Sequence, residues 1–201
     1  MAGPSRYDVG DKEAGIENGI LKNKLGITDQ KQLDDAETLL LSDSYAYFFG
    51  RLPTEKITVD LSLLLSIHKY FLGTLYSWAG QVRTIDISKD GMFFASVKHL
   101  GSSLKAFEKI LQNNIPRPGD SKKKIAENIA VIHDEFNAVH PFREGNGRTI
   151  RLFLDLLVES LSLHPIDWSD KRYMEACRKG MLQDHGMMAD IVYRGLRRSS
   201  D

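Results

Sequence analysis

The chain of 201 residues is 42% hydrophobic and carries 27 Lys plus Arg against 27 Asp plus Glu, which suits one domain with a real core. The charge balance supplies no overall field for nucleic acid or an acidic membrane, and the single Cys177 excludes an intrachain disulfide. Residues 1–10 lack the apolar core of a secretory signal, and the strongest apolar run, Leu61 to Ile67, is far below the roughly 20 residues a spanning helix needs. A cytosolic protein with no membrane span and no nucleic-acid partner is therefore expected, with delivery into another cell through some other signal as the alternative.

Residues 1–20 are rich in glycine and have no periodicity, and read as a flexible arm ahead of a single domain over 21–201. Leu21, Leu25 and Ile27 suggest a short helix or turn. Thr28 then stands as N-cap for a helix carrying Leu33, Ala36, Leu39 and Leu40. Gly50 and Pro53 interrupt the pattern. Asp60 caps a helix over about 60–75 with Leu61, Leu64, Leu65, Ile67 and Phe71 on one face. His68 lies beside that stripe and reads as a half-buried surface histidine, outside any site. Thr84 to Ser88 has period-two apolar residues at Ile85 and Ile87, Lys89-Asp90-Gly91 is a hairpin turn, and Met92 to Ala95 returns as the second strand. Val97 to Leu111 is another helix, and the prolines and glycine between 113 and 121 make a loop. The basic run Lys122 to Lys124 has no interleaved aromatics and reads as a solvated face.

Ile125, Ile129, Ile132, Phe136 and Val139 recur every three or four residues, so a buried amphipathic helix leads to His140. Pro141 stops it, because proline excludes the α conformation from the residue before it. Ile150, Phe153, Leu154, Leu157 and Leu161 start a second buried helix at about Arg148. The intervening loop reads as an anion site: Gly145 and Gly147 allow close backbone approach, and the first amides of a helix have no intrahelical partners. Arg148 and Arg151 share a face, where two guanidiniums can grip different oxygens of a polyphosphate. Without an anion, a cation in the first turn opposes the helix dipole by roughly 0.3–1 kcal/mol. Glu144 suits Mg²⁺, which takes oxygen ligands beside phosphates, and His140 suits a general base. His133 lies two turns from His140, too far for the pair to share one ion. Beyond this, His164 to Trp168 is a turn, Ser169 caps a helix through Tyr173, Cys177 and Leu182, and the last helix runs over about 187–196. Cys177 reads as a buried small hydrophobe. The sum is an all-α bundle of about seven to nine helices with one small hairpin.

The pattern His-x-Phe-x-Glu-Gly-Asn-Gly-Arg-x-x-Arg over 140–151 resembles the active-site motif of the Fic family, with all its fixed positions matched. Weaker similarity runs from about Asn23 to about Gly195. The resemblance implies a Fic-like helical bundle with a β-hairpin flap, and a protein adenylyltransferase that moves AMP from ATP, with Mg²⁺, to a hydroxyl of a target protein. It implies His140 as base, Glu144 as magnesium ligand, and Asn146 at the α-phosphate. The Gly145 and Gly147 amides would form the anion hole, Arg148 and Arg151 would hold the β and γ phosphates, and Phe142 would anchor the loop. The flap at about 84–95, with Ile85, Ile87, Lys89, Gly91 and Phe93, would dock the target segment by strand addition.

Many Fic proteins carry an inhibitory helix, Ser/Thr-x-x-x-Glu-Gly/Asn, whose glutamate pairs with the second motif arginine, here Arg151. Glu17-Asn18 and Glu144-Gly145 have the right ending, but Glu13 and His140 stand where Ser or Thr is needed. The resemblance therefore implies a separate small inhibitory protein, as in toxin and antitoxin pairs. Two alternatives to AMP transfer are a nucleotide-binding module without turnover and transfer of another phosphate-containing group.

Overall fold

Two buried helices and the loop between them form the centre of the protein, as their apolar stripes require. The computed structural model describes residues 15–17, 19–55 and 57–197. In chain order the elements are a hairpin of β1 (Ile16–Glu17) and β2 (Ile20–Leu21), α1 (Gln30–Arg51), α2 (Leu61–Leu72), a second hairpin of β3 (Ser88–Lys89) and β4 (Met92–Phe93), α3 (Leu100–Asn114), α4 (Lys122–Val139), α5 (Asn146–Glu159), α6 (Tyr173–Gly180) and α7 (Gly186–Gly195). The fold is all-α with two small antiparallel hairpins. Helix α4 packs against α3, α5, α6 and α7, and α5 packs against α1 and α2. Their inward residues, among them Ile129, Ile132, Phe136, Ile150, Phe153 and Leu157, are buried in one core. A second cluster of Leu33, Phe71, Leu72, Leu75 and Tyr76 joins α1 to the end of α2.

Helix ends follow local chemistry. Asp60 caps α2 as expected, its carboxylate accepting from the Leu63 amide at 2.9 Å, and Ser121 caps α4 through the Lys124 amide at 3.2 Å. Two caps differ from the sequence expectation. Asp29, not Thr28, caps α1, accepting from the Gln32 amide at 2.8 Å. Ser169 does not cap α6; Asp170 accepts from the Arg172 amide at 2.8 Å in a separate turn, and the helix starts at Tyr173.

The expected arm over 1–20 lies mostly outside the described residues, but Ile16–Glu17 pairs with Ile20–Leu21 as the first hairpin, and Ile20 lies in the second cluster. Strands of two residues are too short to show a period, which hides this hairpin in the sequence. The second hairpin is shorter than expected. Only Ser88–Lys89 pairs with Met92–Phe93, around Asp90 (φ 50°) and Gly91 (φ 77°), the two positive values a type I′ turn needs.

Arg83 explains why pairing stops there. Its buried guanidinium donates to the carbonyls of His140 (2.8 Å), Ile85 (2.7 Å), Val139 (3.4 Å) and Ala95, and its amide donates to Pro141 O at 2.8 Å. The Asp86 carboxylate accepts from the Val97 amide at 2.7 Å, and the Ala95 amide donates to Ala138 O at 3.1 Å. The stem of the hairpin is thus held by main-chain bonds to the end of α4 and across by the side chains of Arg83 and Asp86, in place of a main-chain ladder. Replacing Arg83 with Met leaves several buried carbonyls without donors, each costing about 1–3 kcal/mol. Urea unfolding of Arg83→Met should show a loss on the order of 3 kcal/mol or more; a loss below ~0.5 kcal/mol would contradict this strap.

Candidate active site

Helix α4 ends at His140, which adopts the left-handed conformation (φ 48°, ψ 61°) as its C-cap before Pro141. Its ring lies against Phe94 at the exit of the second hairpin, with centroids 3.7 Å apart and planes 13° apart. The Asn137 carbonyl, 3.0 Å from Nδ1, fixes the proton on that nitrogen and leaves Nε2 with its lone pair. Burial, reinforced by the Arg83 and Lys89 charges, holds the ring down to a pKa of about 3, so it is neutral at physiological pH.

The loop from Pro141 to Gly145 is buried, so its main-chain groups must be paired internally. Asn146 is fully buried and spans the turn: Oδ1 accepts from the Phe142 amide at 2.8 Å and Nδ2 donates to the Phe142 carbonyl at 2.7 Å. Asn146 thus braces the loop through one bond at each end of its amide, which has a second N–H and a second lone pair beyond these two. Phe142 is fully buried between α2 and α4, as an anchor must be, with its ring stacked on His68 at 3.8 Å and 6°. Gly145, at φ 80°, precedes α5, and a Cβ there would stand 2.8 Å from Leu72 Cδ1. Its amide donates to Glu144 Oε1 at 2.8 Å. That amide is therefore spent within the loop in this structure, whereas the Gly147 amide in the first turn of α5 has no main-chain acceptor among the described residues.

His68 is the residue the sequence reading left out. It is fully buried; the Gly80 amide donates to Nδ1 at 2.8 Å, so Nε2 carries the proton and donates to the Glu144 carbonyl at 2.9 Å. Burial, with a smaller effect of the Arg148 charge, pushes it down to about 4. A histidine on the apolar stripe of α2 facing a glycine-rich loop was the only signal for this role.

A cavity of about 260 Å³ opens in front of these groups. Its floor is His140, Glu144, Gly145, Gly147, Arg148 and Arg151; Lys89, Met92 and Phe94 from the hairpin form one wall, and Tyr173, Met174, Cys177 and Met181 from α6 and its end form the other. Arg148 Nη1 lies 2.7 Å from Glu37 and its Nη2 3.3 Å from Glu144. Arg151 stacks over Tyr173 at 5.3 Å and has no carboxylate within ion-pair distance among the described residues. Tyr173 is itself held by His133 Nε2 at 2.8 Å, and His133 Nδ1 by Asp134 at 2.9 Å. So His133 serves as support for the pocket wall. Cys177 is buried, as expected, and burial pushes its thiol up to about 11.

The Fic/DOC family model matches residues 58–158, from the start of α2 through the hairpin and the loop to the end of α5. The chain belongs to this family. Its similar proteins include protein adenylyltransferase VbhT of Bartonella schoenbuchensis, 32% identical over 90% of this chain and 38% of the relative. Another is the probable protein adenylyltransferase y4lH of Sinorhizobium fredii, 30% identical over 87% of this chain and 90% of the relative. This chain thus spans well under half of the first relative's length and most of the second's. Among solved structures, the BepC effector of Bartonella tribocorum with bound AMPPNP superposes with a TM-score of 0.77 at 26% identity, covering 92% of this chain and 97% of that one.

Within this Fic fold the hairpin residues divide. Lys89 faces the cavity, Gly91 makes the turn and Phe93 is 81% exposed at the rim. Ile85 and Ile87 lie outside the paired register, and Ile87 is buried. Its side chain belongs to the core. Phe94, absent from the sequence reading, is the hairpin residue that touches His140.

His68 and His140 share a consequence for stability. In the unfolded chain both titrate near 6.5, but in the fold at about 4 and about 3. As pH falls below about 6.5 the unfolded state binds protons that the folded state does not, so stability present at neutral pH is lost down through pH 4. The slope is about 1.4 kcal/mol per pH unit for each proton. Denaturant titrations from about pH 7 to about pH 4.5 should show this fall, and His140→Ala should lower the proton uptake by about one. A profile unchanged in His140→Ala would contradict the neutral buried imidazole.

Proposed function

We propose that this chain transfers AMP from ATP to a hydroxyl side chain of a target protein, with His140 as the general base. The observation that carries the reading is the orientation of His140: Nδ1–H is held by Asn137 O and Nε2 remains a proton acceptor beside the anion-binding floor of the cavity. The names of the relatives as protein adenylyltransferases, and the AMPPNP bound to BepC, support the same enzyme class and ATP as co-substrate.

The α-phosphate, between Gly147 and His140, is attacked by the target oxygen as His140 Nε2 takes its proton, and pyrophosphate leaves. The Gly147 amide and the first turn of α5 meet the phosphate charge, while Arg148 and Arg151, both lining the cavity, hold the β and γ phosphates. The base lies against the α6 wall of Tyr173, Met174 and Met181. Glu144 lines the cavity beside Arg148, and a lone carboxylate completed by phosphate oxygens and water would suit Mg²⁺. When bound, that ion would offset phosphate charge. Lys89, Gly91 and Phe93 offer the hairpin edge to an extended target segment, with the Phe93 ring as an apolar contact.

We propose regulation by a separate small inhibitory protein whose glutamate would pair with Arg151, which has no carboxylate within ion-pair distance among the described residues; the alternative is an effector delivered into another cell with no resident inhibitor. No helix among the described residues is long and apolar enough to cross a membrane, and we place the chain in the cytosol, whether of its own cell or of one that receives it.

The test uses ATP labelled at the α or the γ position with cell extract and magnesium. Label from the α position should enter protein and label from γ should not, and His140→Ala should lower the rate by ~10²–10⁴ while keeping ATP affinity. Protein labelled from γ would mean phosphate transfer. No labelling at all with tight ATP binding would favour a nucleotide-binding module.

A further inference from the structure

We propose that Glu37 is a positioning residue for nucleotide binding, holding Arg148 from behind the phosphate site together with Tyr76. The inference rests on the phosphate role given above to Arg148. Glu37 sits on α1, is 2% exposed, and does not line the cavity. Its Oε2 lies 2.7 Å from Arg148 Nη1, and its Oε1 accepts from the Tyr76 hydroxyl at 2.8 Å. Burial, and then the Glu37 charge, hold the Tyr76 hydroxyl above its ordinary pKa, so it stays a donor. The same guanidinium reaches Glu144 Oε1 through Nη2 at 3.3 Å and lies over the Phe71 ring at 4.9 Å. Three groups, from α1, the loop and α2, therefore touch one side chain, and Tyr76 from the segment after α2 holds the first of them.

Chemistry calls for such a fixture. Arg148 stands in the first turn of α5, where its charge opposes the helix dipole until an anion arrives, and its side chain is only 17% exposed. A countercharge is needed in the empty protein, and a long side chain left mobile would have to be ordered again by each nucleotide. Glu37 meets both needs. A guanidinium has five N–H groups; the contacts to Glu37 and Glu144 take one from each terminal nitrogen, which leaves others for phosphate oxygens. Two effects oppose each other here, since a buried carboxylate also repels phosphate. Arg148 lines the cavity while bonded to Glu37, which itself does not, so the arginine reaches the ligand without releasing its support and the ordering effect prevails.

The experiment is calorimetric titration with magnesium and AMPPNP of the wild type, Glu37→Gln, Arg148→Met and the double variant, with thermal midpoints taken alongside. Glu37→Gln should raise Kd about tenfold, raise KM for ATP in the transfer assay with kcat within about twofold, and add less than about twofold once Arg148→Met is present. A Kd for Glu37→Gln equal to or tighter than the wild type's would overturn the proposal, as would losses that simply add in the double variant. If Glu37→Gln fails to fold, Tyr76→Phe decides: a Kd raised about threefold only when Arg148 is intact supports the fixture, and an unchanged Kd overturns it. An unchanged Kd in Arg148→Met would instead overturn the phosphate role of Arg148, and is distinguishable because it leaves Glu37→Gln with nothing to act through.

Discussion

A turn made inside the protein leaves main-chain donors and acceptors that water cannot reach, and the loop between α4 and α5 is such a turn. The site depends on how those groups are paired. Arg83 takes the His140 carbonyl, Asn146 takes both polar groups of Phe142, and His68 takes the Glu144 carbonyl. Each of these side chains is buried, so each bond forms where an unmade one costs about 1–3 kcal/mol. The loop is over-determined, and a conformation that places His140 in the left-handed region and Gly145 at φ 80° persists.

The same bonds set the electrostatics. His68 and His140 are both deprived of water and both held in one tautomer, His68 by partners on both nitrogens and as a donor to the loop, His140 by the Asn137 carbonyl at Nδ1. Burial makes both neutral, and neutrality is what each task needs. Glu37, Glu144 and Arg148 form the complementary charged layer, in which two carboxylates hold a guanidinium at the helix start.

Much of this was legible in the sequence because it rests on local rules. The apolar stripes of α4 and α5, the stop at Pro141, the Asp60 cap and the Asp90-Gly91 turn all follow from neighbours within a few residues. His140, Glu144, Arg148 and Arg151, which the motif singles out, line one cavity. What stayed hidden involves partners far apart in the chain. His68 reads like any histidine beside an apolar stripe until the loop is folded onto it, Arg83 and Glu37 look like surface charges, and nothing local shows that the Asn146 amide closes on Phe142. The hairpin is the mixed case: turn chemistry identified it, but its stem is bonded to α4, which removes Ile85 and Ile87 from the paired edge.

The central claim is that the fold presents to the cavity a neutral imidazole whose proton sits on Nδ1. Nitrogen-15 NMR of histidine-labelled protein, with His140 assigned by its loss in His140→Ala, tests it most directly. The account predicts a proton on Nδ1 and an unprotonated Nε2 that persists as pH is lowered well below 6.5 toward about 4, with titration only near about 3. A ring that protonates near 6.5, or that carries its neutral proton on Nε2, would contradict it.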